Sequence, residues 1–137
     1  PICLDESIKT VATASAALDV EACRIINIKA GRVGGYTESI KVHDLCQERS
    51  IPVWCGGMLE SGIGRAHNIH LSTLQNFVLP GDVAASARYY EPDLIEPGIM
   101  VDPKGRIVVP DGPGLGVNVM TDRVERVTER QIVLVAP

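Results

Sequence analysis

Ionisable side chains directly follow two predicted strands of this sequence. Asp5 and Glu6 come after the short strand predicted at residues 1–4, and Lys29 comes after the mostly apolar run at residues 25–28. Because the carboxyl ends of parallel strands share one rim of a sheet, the lysine and the carboxylates would lie near one another there. A lysine in such a place can act as a general acid or base, and Asp5 offers the kind of oxygen ligand that Mg²⁺ prefers.

Each of these residues also has an ordinary structural explanation. Lys29 could turn out to solvent as a loop residue that merely follows a strand. Asp5 could complement the positive end of the dipole of the next helix. Glu6 fits a charge in the first turn of that helix better than it fits a metal ligand. The spacing alone leaves the choice between chemistry and structure open for Lys29 and Asp5.

The third predicted strand is followed by glycines and a further carboxylate. Gly57 would let a ligand approach the backbone closely, and Glu60 lies just beyond it on the same rim. For Glu60, an ion pair with Arg65 is favoured over a catalytic role. Two histidines at 67 and 70 have a spacing that can bind metal, but they lack the H-E-x-x-H context, so surface or packing roles are favoured.

The elements that must position these residues alternate between strand and helix. Strands are predicted at 1–4, 24–28 and 53–55, a candidate fourth strand at 77–79, and helices at 8–18, 36–49 and 62–74. Ser7 is the expected N-cap of the first helix. Apolar strands with short links indicate a parallel sheet covered by helices, which is an α/β fold. Three or four such units cannot close a barrel, so the sheet either stays open or belongs to a larger barrel.

Beyond about residue 90 the chain becomes rich in proline and glycine. Short antiparallel strands are predicted there, at 99–101 and 106–109 across a turn at 102–105, and at 117–120. Two segments are therefore assigned, with β/α units in residues 1–90 and a Pro/Gly-rich tail in residues 91–137. The chain starts at Pro1 without an initiator Met, which we interpret as processing or as removal from a longer polypeptide.

Composition restricts the class of partner. The chain is 45% hydrophobic and 22% charged, as ordered globular domains are. A net charge of −4 without a basic run argues against nucleic acid. No apolar stretch approaches the ~20 residues of a membrane span, and there is no signal-peptide pattern. Four cysteines without a C-x-x-C pair indicate free thiols in the cytoplasm, with disulfides as the alternative.

Nucleotide-binding signatures are missing from the sequence. The segment GPGLG at 112–116 lacks the Lys-Ser/Thr that follows a phosphate loop. No Gly-x-Gly-x-x-Gly turn follows the first predicted strand, so a dinucleotide-binding fold is excluded.

Five motifs occur in order along the chain. They are CLDES at 3–7, IKAGRVGG at 28–35, GGMLESGIGR at 56–65, GDVAAS at 81–86 and GPGLGV at 112–117. Together they resemble the enolase superfamily, its muconate-cycloisomerase subgroup, and within it the o-succinylbenzoate synthase / N-acylamino acid racemase branch. The resemblance implies the C-terminal part of a (β/α)₇β TIM-like barrel, with a β-rich tail that would join a capping domain.

The same resemblance implies roles for individual residues. Lys29 matches a catalytic lysine, and Asp5 matches a metal-binding carboxylate with Glu6 beside it. The matching substrate-binding loop contains Gly57, Met58 and Glu60. The family abstracts the proton α to a carboxylate, while Mg²⁺, or Mn²⁺ or Co²⁺ in its place, stabilises the enediolate. The reaction expected is N-acylamino acid racemisation or o-succinylbenzoate synthesis in menaquinone biosynthesis, acting as an isomerase or lyase on a small-molecule carboxylate substrate.

The family's first lysine motif and its other two metal carboxylates lie upstream of the residues present. We therefore expect the metal to bind only together with that N-terminal half, and the chain to be inactive alone. Exposed sheet edges and apolar faces would favour homo-oligomers. The alternative is a non-catalytic open α/β binding or interaction module that kept the motifs but not the reaction.

Overall fold

Three parallel strands form the central sheet of the computed structural model, which describes residues 1–135 of the chain. They are β1 (Cys3–Leu4), β2 (Ile25–Ile28) and β3 (Val53–Cys55), and β2 lies between the other two. This confirms the predicted parallel α/β arrangement. The candidate fourth strand at 77–79 is reduced to a single parallel bridge between Val53 and Phe77.

Four helices follow or connect these strands. They are α1 (Val11–Asp19), α2 (Ala30–Val33), α3 (Tyr36–Glu48) and α4 (Gly62–Leu71). The third agrees with the predicted 36–49 helix within one residue. The short α2 was not expected, and it occupies the glycine-containing link between β2 and α3.

The first helix begins later than the sequence predicts, and Ser7 is not its cap. Thr10 is the N-cap because its hydroxyl accepts the backbone N–H of Thr13, while the Thr13 side chain accepts the N–H of Thr10. Ile8 precedes the helix and is fully buried. Its N–H donates to the carbonyl of Asp5 at 2.9 Å, so residues 5–8 form a turn instead of a first helical turn.

The fourth helix ends three residues earlier than predicted. The hydroxyl of Ser72 donates to the carbonyl of Asn68, and that of Thr73 donates to the carbonyl of His70, both at 2.7 Å. The backbone N–H groups of Thr73 and Leu74 donate to the carbonyls of His70 and Leu71, three residues back, in place of the four-residue bonds of an α-helix. Leu71 is therefore the last helical residue.

Side chains of the three strands alternate between two faces of the sheet. The helix-covered face carries Ile26, Ile28, Val53 and Cys55, each at most 1% exposed. They pack against buried residues of the helices, namely Ala14, Leu18, Val42, Cys46 and Leu71. The open face carries the alternate residues Cys3, Ile25, Asn27 and Trp54, which lie in register across the strands. Cys3 is exposed and Ile25 and Trp54 are half-buried.

The tail forms a second, smaller layer against α4. Strand β4 (Ile95–Glu96) pairs antiparallel with β5 (Asn118–Val119), and α5 (Thr121–Val127) follows. A separate core joins α4 to this layer and consists of Ala66, Ile69, Ile95 and Ile99. Part of the predicted strand at 117–120 is therefore present as β5.

The predicted hairpin around residues 102–105 is correct only at its turn. The N–H of Gly105 donates to the carbonyl of Asp102, and the N–H of Asp102 donates to the carbonyl of Arg106. The flanking segments 99–101 and 106–109 do not form strands, because within residues 1–135 no backbone hydrogen bond joins them beyond the turn. The segment division at residue 90 stays a prediction, and residues 136 and 137 of the predicted tail lie outside the described residues.

Within residues 1–135, no helix combines the length and the apolar character needed to cross a membrane.

Candidate active site

Lys29 and Asp5 meet at the rim formed by the carboxyl ends of β1 and β2. Lys29 Nζ lies 2.9 Å from Asp5 Oδ2 and 3.8 Å from Glu6 Oε1. The lysine side chain is only 15% exposed. It is therefore turned toward the carboxylate and not out to solvent.

Arg32 completes this ion cluster from the short helix α2. Its Nη1 contacts Asp5 Oδ1, its Nε donates to the carbonyl of Ile8 at 2.8 Å, and its Nη2 donates to the carbonyl of Asn27. The charge spacing of the sequence does not point to this arginine. The one available signal is its position a helical turn after Lys29 in the same motif.

Asp5 is held as a carboxylate by its neighbours. Partial burial would raise its pKa, but the hydrogen bond from Lys29 and the charges of Arg32 and Lys29 outweigh burial and place the pKa below its ordinary value of 3.8. The helix-dipole alternative does not hold, because α1 begins at Val11 and has no acidic residue in its first turn. For the same reason Glu6, whose side chain is 84% exposed, is not a first-turn charge.

The carboxylates at this rim fit a divalent cation only in part. Mg²⁺ takes about six oxygen ligands, and Asp5 and Glu6 could supply one side of that shell. Both oxygens of Asp5 already face Lys29 and Arg32. Among the described residues no group of three or more His, Cys, Asp or Glu side chains is arranged to hold a metal.

The loop after β3 is organised by the ion pair that the sequence favours for Glu60. Arg65 Nη1 lies 3.2 Å from Glu60 Oε2, which confirms that interpretation. The Glu60 carboxylate also accepts the N–H of Met58 at 2.7 Å, so it contacts its own loop. Arg65 Nη1 comes so close to Gly57 that a side chain does not fit there, since a Cβ at this position would lie 2.3 Å from that atom. Substrate contact by Gly57, Met58 and Glu60 stays a prediction.

The two histidines of α4 have packing contacts. His67 lies edge-on to the ring of Tyr36 with 5.1 Å between ring centroids. His70 Nε2 is 3.0 Å from the carbonyl oxygen of Leu115 in the tail. These contacts are of the packing kind that the sequence favours for both histidines.

Asn27 is a further polar residue of the open face. It is completely buried, and within residues 1–135 its amide group forms no hydrogen bond of ordinary geometry, although it lies near enough to Asp5 to help lower the pKa of that carboxyl group. A buried amide without partners costs about 1–3 kcal/mol, so such groups usually have a role. The signal in the sequence is a single polar residue within an otherwise apolar strand.

All four cysteines are free, as the sequence predicts. Cys23, Cys46 and Cys55 are buried, whereas Cys3 is exposed on the open face. Burial raises the pKa of each buried thiol, and that of Cys46 reaches about 12. These three thiols are therefore inert packing residues at neutral pH.

Residues 1–123 match the model of a protein family described as enolase C-terminal domain-like. The chain belongs to this family. It is 60% identical over 129 residues to an o-succinylbenzoate synthase of Geobacillus stearothermophilus, covering 94% of this chain and 34% of the relative. It is 50% identical over 132 residues to an N-succinylamino acid racemase of Amycolatopsis sp, covering 96% of this chain and 35% of the relative.

A solved structure is also similar to this chain. The dipeptide epimerase of Cytophaga hutchinsonii, complexed with Mg and the dipeptide D-Ala-L-Val, overlays with a TM-score of 0.83 at 28% identity. The overlay covers 92% of this chain and 34% of the epimerase. The chain thus spans about a third of the length of the curated relatives it matches.

The enolase-superfamily resemblance and the barrel assignment are confirmed by these matches. The β1–β3 sheet with its helices corresponds to part of a TIM-like barrel. In a closed barrel the helices lie outside, so the open face with Asn27 and Lys29 corresponds to the barrel interior.

Proposed function

We propose that this chain supplies one proton-transfer group of a divalent-metal-dependent enzyme that acts on the proton α to a carboxylate. The reaction class is N-acylamino acid racemisation or o-succinylbenzoate synthesis. The observation that carries the proposal is the 2.9 Å contact between Lys29 and Asp5 on the rim of the open face. The similarity to o-succinylbenzoate synthases and N-succinylamino acid racemases supports it.

Lys29 is the acid–base residue of this proposal. Its backbone is anchored as the N-cap of α2, and its ammonium group is held beside Asp5. From that position the side chain can give a proton to the α-carbon of a substrate that lies over the open face when it is an ammonium group, and can take one from that carbon when it is a neutral amine. Arg32 holds the second oxygen of Asp5 and so keeps the carboxylate oriented along the rim.

Asp5, with Glu6 as a secondary candidate, would hold the metal ion. When bound, Mg²⁺, Mn²⁺ or Co²⁺ would supply positive charge for the carboxylate group of the substrate. Because these residues offer one side of a coordination shell, we propose that the chain is inactive without the remaining part of the barrel. The epimerase complexed with Mg supports this choice of metal for the whole enzyme.

The remaining parts of the proposal concern partners and location. The substrate is a small-molecule carboxylate, and the partner polypeptide is the upstream part of the barrel. The exposed sheet edges support a homo-oligomer. The four free thiols support a cytoplasmic location, where thiols stay reduced.

The test is exchange of the α-proton of an N-succinylamino acid in D₂O, followed by NMR. With the upstream part of a synthase relative added, we expect exchange that requires Mg²⁺ and that falls at least about a hundredfold in Lys29→Ala. Lys9→Ala is the matched control, because Lys9 is exposed before α1.

Three outcomes contradict the proposal. Exchange by the unassisted chain would disprove its dependence on a second polypeptide. Full activity of Lys29→Ala would remove the lysine from the reaction. Absence of exchange under all conditions would instead favour a non-catalytic α/β binding module.

A further inference from the structure

We infer that the buried Arg65–Glu60 ion pair fixes the backbone of Met58 and thereby determines which apolar group of a substrate the rim accepts. Met58 follows β3 at the same rim as Lys29, and its side chain is half exposed. The inference rests on the proposed function, since it assigns specificity to the proposed active site.

Arg65 is the most unusual charged residue of the chain because it is almost completely buried, at 2% exposure. A guanidinium group stays charged in proteins, so it is costly to bury unless it is paired and hydrogen-bonded. Its Nη2 donates to the carbonyl of Met58 at 2.7 Å and its Nη1 lies 3.2 Å from Glu60 Oε2, whereas Nε and Nη1 form no hydrogen bond within residues 1–135, so the buried charge depends on Glu60. The ring of Tyr89 covers the guanidinium at 5.8 Å.

Glu60 binds the backbone N–H of Met58, whose carbonyl is bound by Arg65. Its Oε2 accepts a hydrogen bond from the N–H of Met58 at 2.7 Å, and its Oε1 accepts one from Asn68 Nδ2 at 3.2 Å. The N–H and the carbonyl of Met58 are therefore both bound by one ion pair. This arrangement, which we call the Met58 clamp, consists of Glu60 and Arg65.

Glycines on both sides leave the space that the Met58 clamp occupies. A Cβ on Gly57 would lie 2.3 Å from Arg65 Nη1, and one on Gly64 would lie 2.6 Å from Glu60 Cγ. A real Cβ does not come so close to a neighbouring atom. The spacing of Gly57, Glu60, Gly64 and Arg65 is thus a requirement of the clamp.

The consequence concerns the Met58 side chain. With its backbone held at two points, its thioether is presented at a defined place on the rim while remaining able to adapt in shape. Such a side chain suits the apolar part of a carboxylate substrate that does not react. Loosening the clamp would weaken binding of that part and leave proton transfer at Lys29 intact, which raises KM and spares kcat.

The experiment uses the chain together with the upstream part of a synthase relative. In Glu60→Ala we expect KM for an N-succinylamino acid with a large apolar side chain to rise about tenfold, with kcat changed less than about twofold. Glu60→Gln, which can still accept the Met58 N–H, should recover part of the loss. Because both variants leave the buried Arg65 charge without its counter-charge, KM and kcat are compared at a temperature at which circular dichroism shows each variant to be folded.

The matched control is Arg49→Met. Arg49 pairs with Asp19 and donates to Ser15 Oγ at 3.1 Å, at the edge of the sheet opposite the rim. We expect no change of KM in this variant. Amide hydrogen exchange gives an independent readout, since the Met58 N–H should exchange at least about tenfold faster in Glu60→Ala.

Each failure has its own signature. If the assembled wild-type protein catalyses no α-proton exchange, the proposed function fails and the specificity role falls with it. If the wild type is active and KM is unchanged in Glu60→Ala, only the inference is overturned. A fall in kcat with constant KM would likewise overturn it.

Discussion

The two faces of the β1–β3 sheet are made by the same strands but carry different kinds of side chain, apolar on the helix-covered face and partly polar on the open face. On the helix-covered face, Ile26 and Ile28 are completely buried among apolar side chains. On the open face the strands present Cys3 and Asn27 and lead at their carboxyl ends to the ion cluster of Lys29. Successive side chains of a strand point to opposite sides of the sheet. One short strand can therefore place Ile26 and Ile28 in the core while it places Asn27 and Lys29 on the face proposed for chemistry.

The cysteines give the largest expected contrast between the two faces. Cys3 is exposed, whereas Cys23, Cys46 and Cys55 are buried. A pKa of about 12 in place of 9.0 lowers the thiolate fraction of Cys46 by about a thousandfold at neutral pH. We expect one thiol to react rapidly with a disulfide reagent in the folded chain and four to react in denaturant. Rapid reaction of two or more native thiols would show that the helix-covered face is not closed.

The second contrast concerns neighbouring isoleucines on the two faces. Ile26→Ala should lower the free energy of unfolding by about 2–5 kcal/mol, because it leaves a cavity under the helices. Ile25→Ala is the matched control on the open face and should cost less than about 1 kcal/mol in the chain, since Ile25 is half-buried. Urea denaturation measures both. Equal losses would mean that the open face is as well packed as the covered one.

The third prediction addresses the ion cluster at the rim. Asp5→Asn removes the negative charge between Lys29 and Arg32 and leaves two largely enclosed cations facing each other. We expect a loss of about 1–3 kcal/mol in the free energy of unfolding without metal. Glu6→Gln serves as control, with a change under about 0.5 kcal/mol because the Glu6 side chain is exposed. A more stable Asp5→Asn variant would indicate that the cluster is strained.

The smallest expected effect lies in the tail, which belongs to neither face. The Asp102 carboxylate accepts the N–H groups of Lys104 and Arg106, both at 2.8 Å, and the hydrogen bond from the Arg106 backbone is the main reason that its pKa lies below 3.8. A carboxyl group with a depressed pKa stabilises the fold above its unfolded pKa and loses this contribution as the pH falls through its folded pKa.

The turn at 102–105 should therefore open only in acid, at pH values below the pKa that Asp102 has in the unfolded chain. The amide chemical shifts of Lys104 and Arg106 would follow a titration below about pH 4. Asp102→Asn should remove this pH dependence. A titration midpoint at or above the ordinary value of 3.8 would contradict the hydrogen bonds described for this turn.

The sequence was sufficient to predict the parallel α/β sheet. It was not sufficient to predict the start of α1 or the strands of the tail. The succession of strands along the chain and the α3 helix follow from apolar periodicity and from glycines in the links, which are local features. The start of α1 was misplaced because both Ser7 and Thr10 are good caps, and the choice depended on burial of Ile8 in the core. In the tail, β5 was partly predicted, but β4 was missed because its partner β5 comes from a distant segment.

The sequence alone determined that a lysine and a carboxylate end two β/α units, and its motifs resemble those of a barrel family. Only the tertiary structure decided that Lys29 turns toward Asp5, that Arg32 binds the other carboxylate oxygen, and that Arg65 lies buried beneath Met58. The physical reason is that periodicity assigns a side chain to one face of an element. The partner of a charged group depends on which strands and loops are neighbours in space.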